Sequence, residues 1–332
     1  MADFINIPCD ILIDIFSRIP IKSLVQLRCV SKSLLHFITD SLVFNMHVSY
    51  SKNLKILLND FNCCYALDCI SWGSSNGLIL LSFDRRYDDK VYCLWNPYTG
   101  EYIKANLHDS EMPFNVSVYY NSTDKNYDFL VIQYHESNVY DRSSCVDIYS
   151  LASSSWREMK SIPYRIATRH GVSVDGSLHW VAAHKSRRSY RYDLVIAFEI
   201  GGDKFREVPL PNHMNPDCFI DITELGGELC LVCNYKILAE AWLMKDYGVT
   251  SSWTKLFSIK ASPGVYFRSL MPLCFTKDGK LLLHMDDRML ALYHPIEDLF
   301  CFNIKGIPQT FVPIIYYENQ IVMKGENNKM VL

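Results

Sequence analysis

The chain has 332 residues, of which 49% are hydrophobic and 21% are charged, and its formal net charge is -3. This balance is that of a folded protein with a sizeable core, and it excludes a disordered chain. The small negative charge also excludes the strongly basic surface of a general nucleic-acid binder, so no nucleic-acid partner is expected. At about 150 residues per domain, the length is consistent with about two domains.

The first residues contain no basic region followed by an apolar signal core, and no stretch approaches the roughly 20 apolar residues of a membrane span. We therefore expect no membrane span and a cytoplasmic or nuclear location, or both. The 12 cysteines are scattered through apolar segments. This pattern is typical of reduced thiols that pack as small hydrophobic side chains.

Residues 1–48 have the periodicity of short helices. Asp10 can cap the first helix and Pro20 ends it, and Ser31–Ser33 offers a break in the segment that follows. Three short helices cannot bury enough apolar surface alone. Part of the apolar stripe along these helices therefore either binds another protein or packs on the neighbouring domain. The apolar positions at helical spacing are Ile11, Leu12, Ile15, Phe16 and Ile19, then Leu24, Leu27, Val30, Leu34, Leu35 and Ile38.

From residue 54 onward, short runs rich in β-branched, leucine and aromatic residues are separated by turns with a period of about 50 residues. Each of four two-residue turns tolerates positive φ and precedes an apolar strand, as a tight hairpin requires. A divergent member of the series is expected at the longer turn Asn121–Asn126. The four turns are Asn76-Gly77, Asp175-Gly176, Gly226-Gly227 and Asp278-Gly279.

A second marker has the same period: an aromatic residue follows a polar or glycine-containing turn at Tyr102, Trp156, Phe205, Trp253 and Phe300. Such a repeat, with four short strands per unit, is typical of a Kelch-type β-propeller blade. Five blades are visible from about residue 70 to 306. The strand-like ends would combine as a sixth blade and remove exposed sheet edges. A two-sheet sandwich is the alternative, but it does not explain the repeat. The end segments are Leu54–Leu58, Cys64–Leu67 and Phe311–Met323.

Few residues suggest chemistry. Cys230 and Cys233 form a CxxC pattern, but they lie in a predicted strand, where residues three apart point to opposite faces. His179, near His184, is expected to make a structural hydrogen bond. The sequence has no phosphate loop, dinucleotide fingerprint, nucleophile elbow or HExxH motif. We therefore predict no catalytic residue, no cofactor and no metal site.

The segment Lys185–Tyr192 places four positive charges and two aromatic side chains in a connection between strands. Arginine and tyrosine are favoured at binding hot spots. We predict that Arg187, Arg188, Tyr190 and Arg191 help to bind an acidic patch on a protein substrate. The alternative is a solvated loop.

The N-terminal segment closely resembles the F-box. The resemblance is carried by Ile7-Pro8, by Ile19-Pro20 and by the run Arg28-Cys29-Val30-Ser31-Lys32. Two positions depart from the usual pattern: Ile7 stands for leucine and Leu34 for tryptophan. Both keep an apolar side chain.

The rest of the chain resembles the F-box-associated, Kelch-like domain of plant F-box proteins, and it looks most like the S-locus F-box-like subgroup. The implied fold is α+β and multidomain: a small three-helix F-box at 1–48, then an all-β Kelch-like propeller of about six blades at 49–332. The matching segments are Ser75–Leu80, Leu94–Pro97, Ser155–Arg157, Gly176–Trp180, Phe205–Pro211, Trp242–Tyr247 and Ser252–Lys255.

The resemblance implies a non-catalytic substrate-recognition subunit of an SCF-type E3 ubiquitin ligase. The F-box would bind a Skp-type adaptor, and through it cullin and a RING protein, while the propeller binds a protein substrate for ubiquitination and proteasomal degradation. The substrate is open, with a self-incompatibility ribonuclease and an immune receptor as candidates. A carbohydrate-binding propeller module and a propeller enzyme are the alternative functions. The expected adaptor contacts are Ile7, Pro8, Ile11, Leu12, Ile15, Pro20, Leu24, Leu27, Cys29, Val30, Ser31 and Lys32.

Overall fold

The structure is a computed structural model. It describes residues 54–60, 69–85, 89–105, 107, 115–134, 144–159, 161–168, 170–186, 191–261, 267–276, 279–295, 299–301, 311–317 and 328–329. One compact unit contains the described residues of 54–57, 67–107 and 314–332, and a second contains those of 58–60 and 108–313. The three predicted helices lie outside the described residues and stay a prediction, as does the domain boundary at 48.

The described chain is almost entirely β-strand. It starts with β1 (Leu54–Asp60). Blade 1 contains β2 (Cys69–Ser75), β3 (Leu78–Arg85), β4 (Asp89–Trp95) and β5 (Glu101–Ala105). Blade 2 contains β6 (Asn115–Asn121), β7 (Asn126–Tyr134), β8 (Ser144–Ser150) and β9 (Ser155–Glu158). Blade 3 contains β10 (Tyr164–Ile166), β11 (Val172–Val174), β12 (Ser177–His184), β13 (Leu194–Glu199) and β14 (Lys204–Val208).

The remaining strands complete two more blades and the C-terminal segment. Blade 4 contains β15 (Phe219–Leu225), β16 (Glu228–Asn234), β17 (Leu238–Met244) and β18 (Trp253–Lys260), with a short 3-10 helix at Thr250–Ser252. Blade 5 contains β19 (Leu270–Phe275), β20 (Leu281–Met285), β21 (Met289–His294) and β22 (Leu299–Cys301). The chain continues with β23 (Phe311–Tyr317) and β24 (Asn328–Lys329).

Each blade is an antiparallel meander in which strands adjacent in sequence pair with each other. The first strand of blade 3 is split, so that β10 and β11 both pair with β12, and β24 adds a fifth strand beside β5 in blade 1. The five predicted blades are therefore confirmed.

The predicted pairing of the two strand-like ends is also observed, because β1 and β23 form a two-stranded sheet. Ile314 of β23 packs in the hydrophobic core of blade 1 beside Ile79 and Trp95. The segment Cys64–Leu67 lies outside the described residues. A complete sixth blade stays a prediction.

The hairpin turns explain the first marker of the repeat. Asn76 and Gly77 have φ of 49° and 79°, Asp175 and Gly176 have 47° and 68°, and Gly226 and Gly227 have 66° and 89°. Two successive residues with positive φ match the right-handed twist of the strands that they join. The divergent turn lies between β6 and β7, where Lys125 has a φ of 51°. The sequence prediction of these turns is confirmed, although Asp278 lies outside the described residues.

The aromatic residues of the second marker lie at the beginning of the fourth strand of each blade. In four blades the aromatic residue directly faces another on the third strand, and in three of these the two rings are in contact. Such cross-strand pairs stabilise a sheet by about 0.5 to 1.5 kcal/mol. The marker thus fixes the register of the hairpin that the third and fourth strands of a blade form. The three pairs and their ring-centroid distances are Tyr149–Trp156 at 5.2 Å, Phe198–Phe205 at 5.2 Å and Tyr293–Phe300 at 5.0 Å.

The second strand of each blade is the most buried, because it has a strand on each side and a hydrophobic core on both faces. In β12, residues Leu178–Ala183 are all at most 1% exposed. Within the second unit, separate cores join blades 2 and 3, blades 3 and 4, and blades 4 and 5. The blades of this unit are therefore joined face to face by apolar packing.

Replacing Gly171 by alanine should destabilise the second unit by about 1 to 3 kcal/mol through overpacking. A Cβ atom there would lie 2.8 Å from Cζ2 of Trp180, whose ring is fully buried and cannot move aside. In the control Gly202→Ala, the nearest atom is the mobile Oε2 of Glu199 at 3.3 Å, so the change should stay within about 0.5 kcal/mol. Thermal unfolding of both variants measures the difference. Equal melting temperatures would contradict the prediction.

Candidate functional site

Most of the predicted binding residues lie outside the described residues. This holds for all twelve expected adaptor contacts, which fall within Ile7–Lys32, and for Arg187, Arg188 and Tyr190 of the basic segment. Arg191 is described. Its guanidinium nitrogen Nη1 lies 3.3 Å from Oδ1 of Asp217, which places Arg191 beside the beginning of β15.

Blades 3, 4 and 5 share one end, which we call the strand-start face because the first strand of each blade begins there. It comprises the described residues of 185–193, 209–219, 235–237, 267–269 and 286–288. Oδ1 of Asn234, at the end of β16, accepts a hydrogen bond from the backbone N of Leu270, at the beginning of β19, at 3.0 Å. This bond and the Arg191–Asp217 pair bring the ends of the three blades together.

Large apolar side chains are exposed at this face. Phe219 is 86% exposed and Ile237 is 59% exposed, and Met289, the first residue of β21, is 41% exposed. Phe219 pairs with Asn234 at the last position of the β15–β16 ladder, and Ile237 lies in the connection that follows β16. Apolar side chains rimmed by polar residues are typical of interaction surfaces. The strand-start face is therefore the candidate site for binding a partner.

An acidic pair lies between blades 4 and 5 at the same end. Oδ1 of Asp221 in β15 accepts a hydrogen bond from the backbone N of its neighbour Ile222 at 2.9 Å, and Asp221 is subject to the negative charge of Asp287. Burial, with a smaller contribution from the negative charge of Asp287, outweighs the hydrogen bond from Ile222 and raises the pKa of Asp221 to about 6. A carboxylate held in such surroundings is destabilised in its charged form.

Replacing Asp221 by asparagine should therefore stabilise the protein at neutral pH. The folded-state pKa lies above the ordinary value of 3.8, so the folded protein retains a proton between about pH 4 and 6 and loses stability as pH rises through that window. Because Asp221 is partly exposed, the expected gain is about 1 to 2 kcal/mol above pH 7 and none below pH 4. Melting temperatures at pH 7.5 and pH 4 measure it, with the exposed Asp217→Asn as control. A gain of equal size at both pH values would contradict the assignment.

His179 has the structural role expected from the sequence. Its Nδ1 lies 3.0 Å from the carbonyl oxygen of Val172, and its Nε2 lies 2.5 Å from the hydroxyl of Tyr247. Burial lowers its pKa to about 4, so the imidazole is neutral at physiological pH. Tyr247 belongs to the β17–β18 connection, and the bond therefore fastens blade 3 to blade 4.

Cys230 and Cys233 lie on opposite faces of β16, as predicted. Cys230 packs in the core between blades 4 and 5, and Cys233 packs in the core between blades 3 and 4. The pair cannot bind one metal ion together. Within the described ranges, no group of three or more His, Cys, Asp or Glu side chains is arranged to hold a metal ion.

One further property concerns membranes. In the part of the chain that the structure describes, no helix combines the length and the apolarity needed to span a bilayer.

The exposed apolar residues were not predicted from the sequence. Phe219 is followed by Ile220 and lies in a segment with the composition of a buried strand. The only local signal is the polar stretch before it, Asn212–Asp217, which marks the beginning of the strand.

Comparisons with known proteins give consistent results. The model of the F-box associated beta propeller domain matches residues 32–312, and that of the F-box domain matches residues 4–45. The chain is 27% identical to the F-box protein CPR1 of Arabidopsis thaliana, covering 98% of this chain and 91% of that protein. It is 26% identical to the F-box/kelch-repeat protein At3g23880 of the same plant, with 91% of each chain covered. Among solved structures, oligogalacturonate lyase from Vibrio parahaemolyticus has a TM-score of 0.42 and 10% identity, covering 75% of this chain and 84% of that one.

Proposed function

The chain belongs to the family of plant F-box proteins with an F-box-associated β-propeller domain, and we propose that it is the substrate-recognition subunit of an SCF-type E3 ubiquitin ligase. One observation carries the proposal: an F-box and a propeller domain occur in the same chain. The F-box binds a Skp-type adaptor, which connects it to cullin and a RING protein. The chain itself needs no catalytic residue, because holding a substrate near a ubiquitin-loaded enzyme raises the effective concentration of the substrate lysine.

The adaptor-binding surface in this proposal is the apolar stripe of the first 48 residues. A segment this short has too little core of its own, and a partner that covers the stripe supplies the missing burial. The complex acts in the cytoplasm, in the nucleus or in both.

The substrate-binding surface in this proposal is the strand-start face of blades 3 to 5. Three observations support it: Arg191 of the basic segment, the exposed Phe219 and Ile237, and the position of these three residues at one end of neighbouring blades. Aromatic and arginine side chains in such a setting are typical of binding hot spots. The partner is a protein that offers acidic residues beside an apolar side chain.

The test is co-purification of the full-length chain with a plant Skp-type adaptor and cullin, followed by a ubiquitination assay with substrates captured by the same chain. We expect a stable complex and ubiquitination that depends on the chain. Failure of the adaptor to bind would contradict the ligase function. The alternatives, a carbohydrate-binding module and a propeller enzyme, would then be tested by glycan-binding and enzyme assays.

The substrate surface needs a separate test. The double variant Phe219→Ser/Ile237→Ser should retain the adaptor and lose at least about 10-fold in affinity for the captured substrate. The matched control is Phe275→Ser, which changes a side chain 42% exposed at the opposite end of blade 5. Equal substrate binding by both variants would place the substrate elsewhere.

A further inference from the structure

Cys218 and Cys233 of blade 4 lie on the same face of its sheet, at the strand-start end. In the β15–β16 ladder, Ile220 pairs with Cys233, so Cys218, two residues before Ile220, has its side chain on the same face as Cys233. Both thiols lie in the core between blades 3 and 4, and each influences the ionisation of the other. Cys218 is 7% exposed and Cys233 is fully buried. Cys218 is therefore the more accessible of the two.

The surroundings of Cys218 favour its thiolate. The Cys233 thiol, the hydroxyl of Tyr235 and the positive charge of Arg191 all favour the charged form of its sulfur. Their effects outweigh burial and lower the pKa of Cys218 to about 7, whereas the influence of Cys218 and burial raise the pKa of Cys233. The Tyr235 hydroxyl donates its proton to the carbonyl oxygen of Asn215 at 3.3 Å, and Asn215 belongs to the same connection before β15 as Cys218.

Two other charged groups belong to this environment. Asp217 pairs with Arg191 across an exposed contact, and Glu240 of β17 lies opposite Cys233 but is bonded to Lys255 at 2.7 Å. Both carboxylates therefore have cationic partners, which limits their repulsion of a thiolate at Cys218.

Cys230 provides a natural comparison, because it is three residues from Cys233 on the same strand. It is fully buried on the opposite face, and burial raises its pKa. Burial also raises the pKa of Cys274, on β19. Reactive thiols need a stabilised thiolate and access, and among these four cysteines that combination occurs at Cys218 alone.

We propose that Cys218 and Cys233 form a peroxide-sensitive dithiol site, in which Cys218 is oxidised first and Cys233 resolves it as a disulfide. The Cys218 thiolate attacks hydrogen peroxide, the O–O bond breaks, and Cys218 becomes a sulfenic acid while hydroxide leaves. The Cys233 sulfur then attacks the sulfenic sulfur, and its proton leaves with the hydroxyl group as water. Peroxide is reduced, and the two thiols are oxidised by two electrons.

The disulfide would change the strand-start face. The two residues are diagonal neighbours across the strand pair, with a usual Cα separation of about 7 to 8 Å, whereas a disulfide spans about 4.4 to 6.8 Å. Cys218 lies just before β15 and outside its ladder, so it can move toward Cys233. Phe219, the next residue and the most exposed large apolar side chain of the described chain, moves with it.

The test uses the reduced full-length protein, hydrogen peroxide and mass spectrometry after alkylation. Trypsin leaves Cys218, Cys230 and Cys233 in one peptide, 207–236, so a second digestion after Glu224 and Glu228 is needed to separate Cys218 from the other two. We expect a single new disulfide that involves Cys218, and the same disulfide in the variant Cys230→Ala, where Cys233 is the remaining partner.

The variant Cys233→Ala should stop at the sulfenic acid, which dimedone traps on Cys218. Its matched control is Cys230→Ala, because both remove a fully buried thiol from the same strand, and thermal unfolding verifies that both variants fold. Tyr235→Phe should shift the pH midpoint of Cys218 alkylation upward from about 7. The proposal is wrong if Cys218 reacts no faster than Cys230, or if Cys230→Ala forms no disulfide. Neither result depends on the ligase function.

Discussion

A chain in which Pro8, Leu12 and Val30 are all replaced by alanine is expected to lose its Skp-type adaptor while its propeller domain stays folded. Leu12 and Val30 lie at apolar positions of the helical stripe, and Pro8 belongs to the Ile-Pro element of the F-box. Each truncated methyl or methylene group removes about 0.8 kcal/mol of apolar burial, so the loss totals about 3 kcal/mol or more. Affinity for the adaptor should fall at least about 100-fold.

The measurement is adaptor binding by calorimetry, with the melting transition of the propeller recorded on the same samples. The matched control replaces three polar residues of the same segment, Ser23, Gln26 and Ser33, by alanine. The control should bind the adaptor as the unmodified chain does. Retention of full affinity by the first variant would show that the stripe packs on the neighbouring domain and not on the adaptor.

Replacing Trp180 by alanine should have the largest effect on the propeller domain. Trp180 lies on β12, is fully buried, and packs between blades 2 and 3 with Leu130 and Phe198. Removing a buried indole leaves a cavity that a closely packed core cannot fill, and such changes cost about 3 to 5 kcal/mol. For a domain of this size the melting temperature should fall by about 5 to 9 °C.

The control for this variant is the same chemical change at an exposed position. Trp156, on the outer strand of blade 2, is 38% exposed, so Trp156→Ala removes less burial and mainly the ring contact with Tyr149. Its melting temperature should fall by about 2 °C or less. If the two variants have the same melting temperature, the core between blades 2 and 3 contributes less to the stability of the domain than its burial indicates.

The blades could be predicted because their markers follow from local chemistry. A two-residue hairpin needs positive φ, which glycine and asparagine tolerate, so turns such as Asn76-Gly77 are visible in the sequence. The aromatic residue of the fourth strand faces a partner only about seven residues away, as Trp156 faces Tyr149. Two features escaped prediction: the split first strand of blade 3, and β24. Both depend on which strand pairs with which partner, and the local amino-acid composition does not specify the partner.

The strand-start face could be predicted only in part. The charges of the basic segment are visible in the sequence, but the exposure of Phe219 depends on what the adjacent blades leave uncovered. The placement of Cys218 and Cys233 on one face depends on the register of β15 against β16, and a shift of one residue would have placed the two thiols on opposite faces. The CxxC spacing directed attention to Cys230, which is the unreactive neighbour.

The pairing of β1 with β23 has a consequence for synthesis. About 250 residues separate the two strands, and a ribosome that adds about 5 to 20 residues per second needs about 12 to 50 s to cross that distance. Throughout this interval, β1 lacks the one strand with which it pairs in the described structure. The F-box precedes β1 and leaves the ribosome first. Under the proposed function, adaptor loading can therefore begin on a nascent chain whose propeller domain is still incomplete. Chaperones that shield strand edges have their longest opportunity to bind during the same interval.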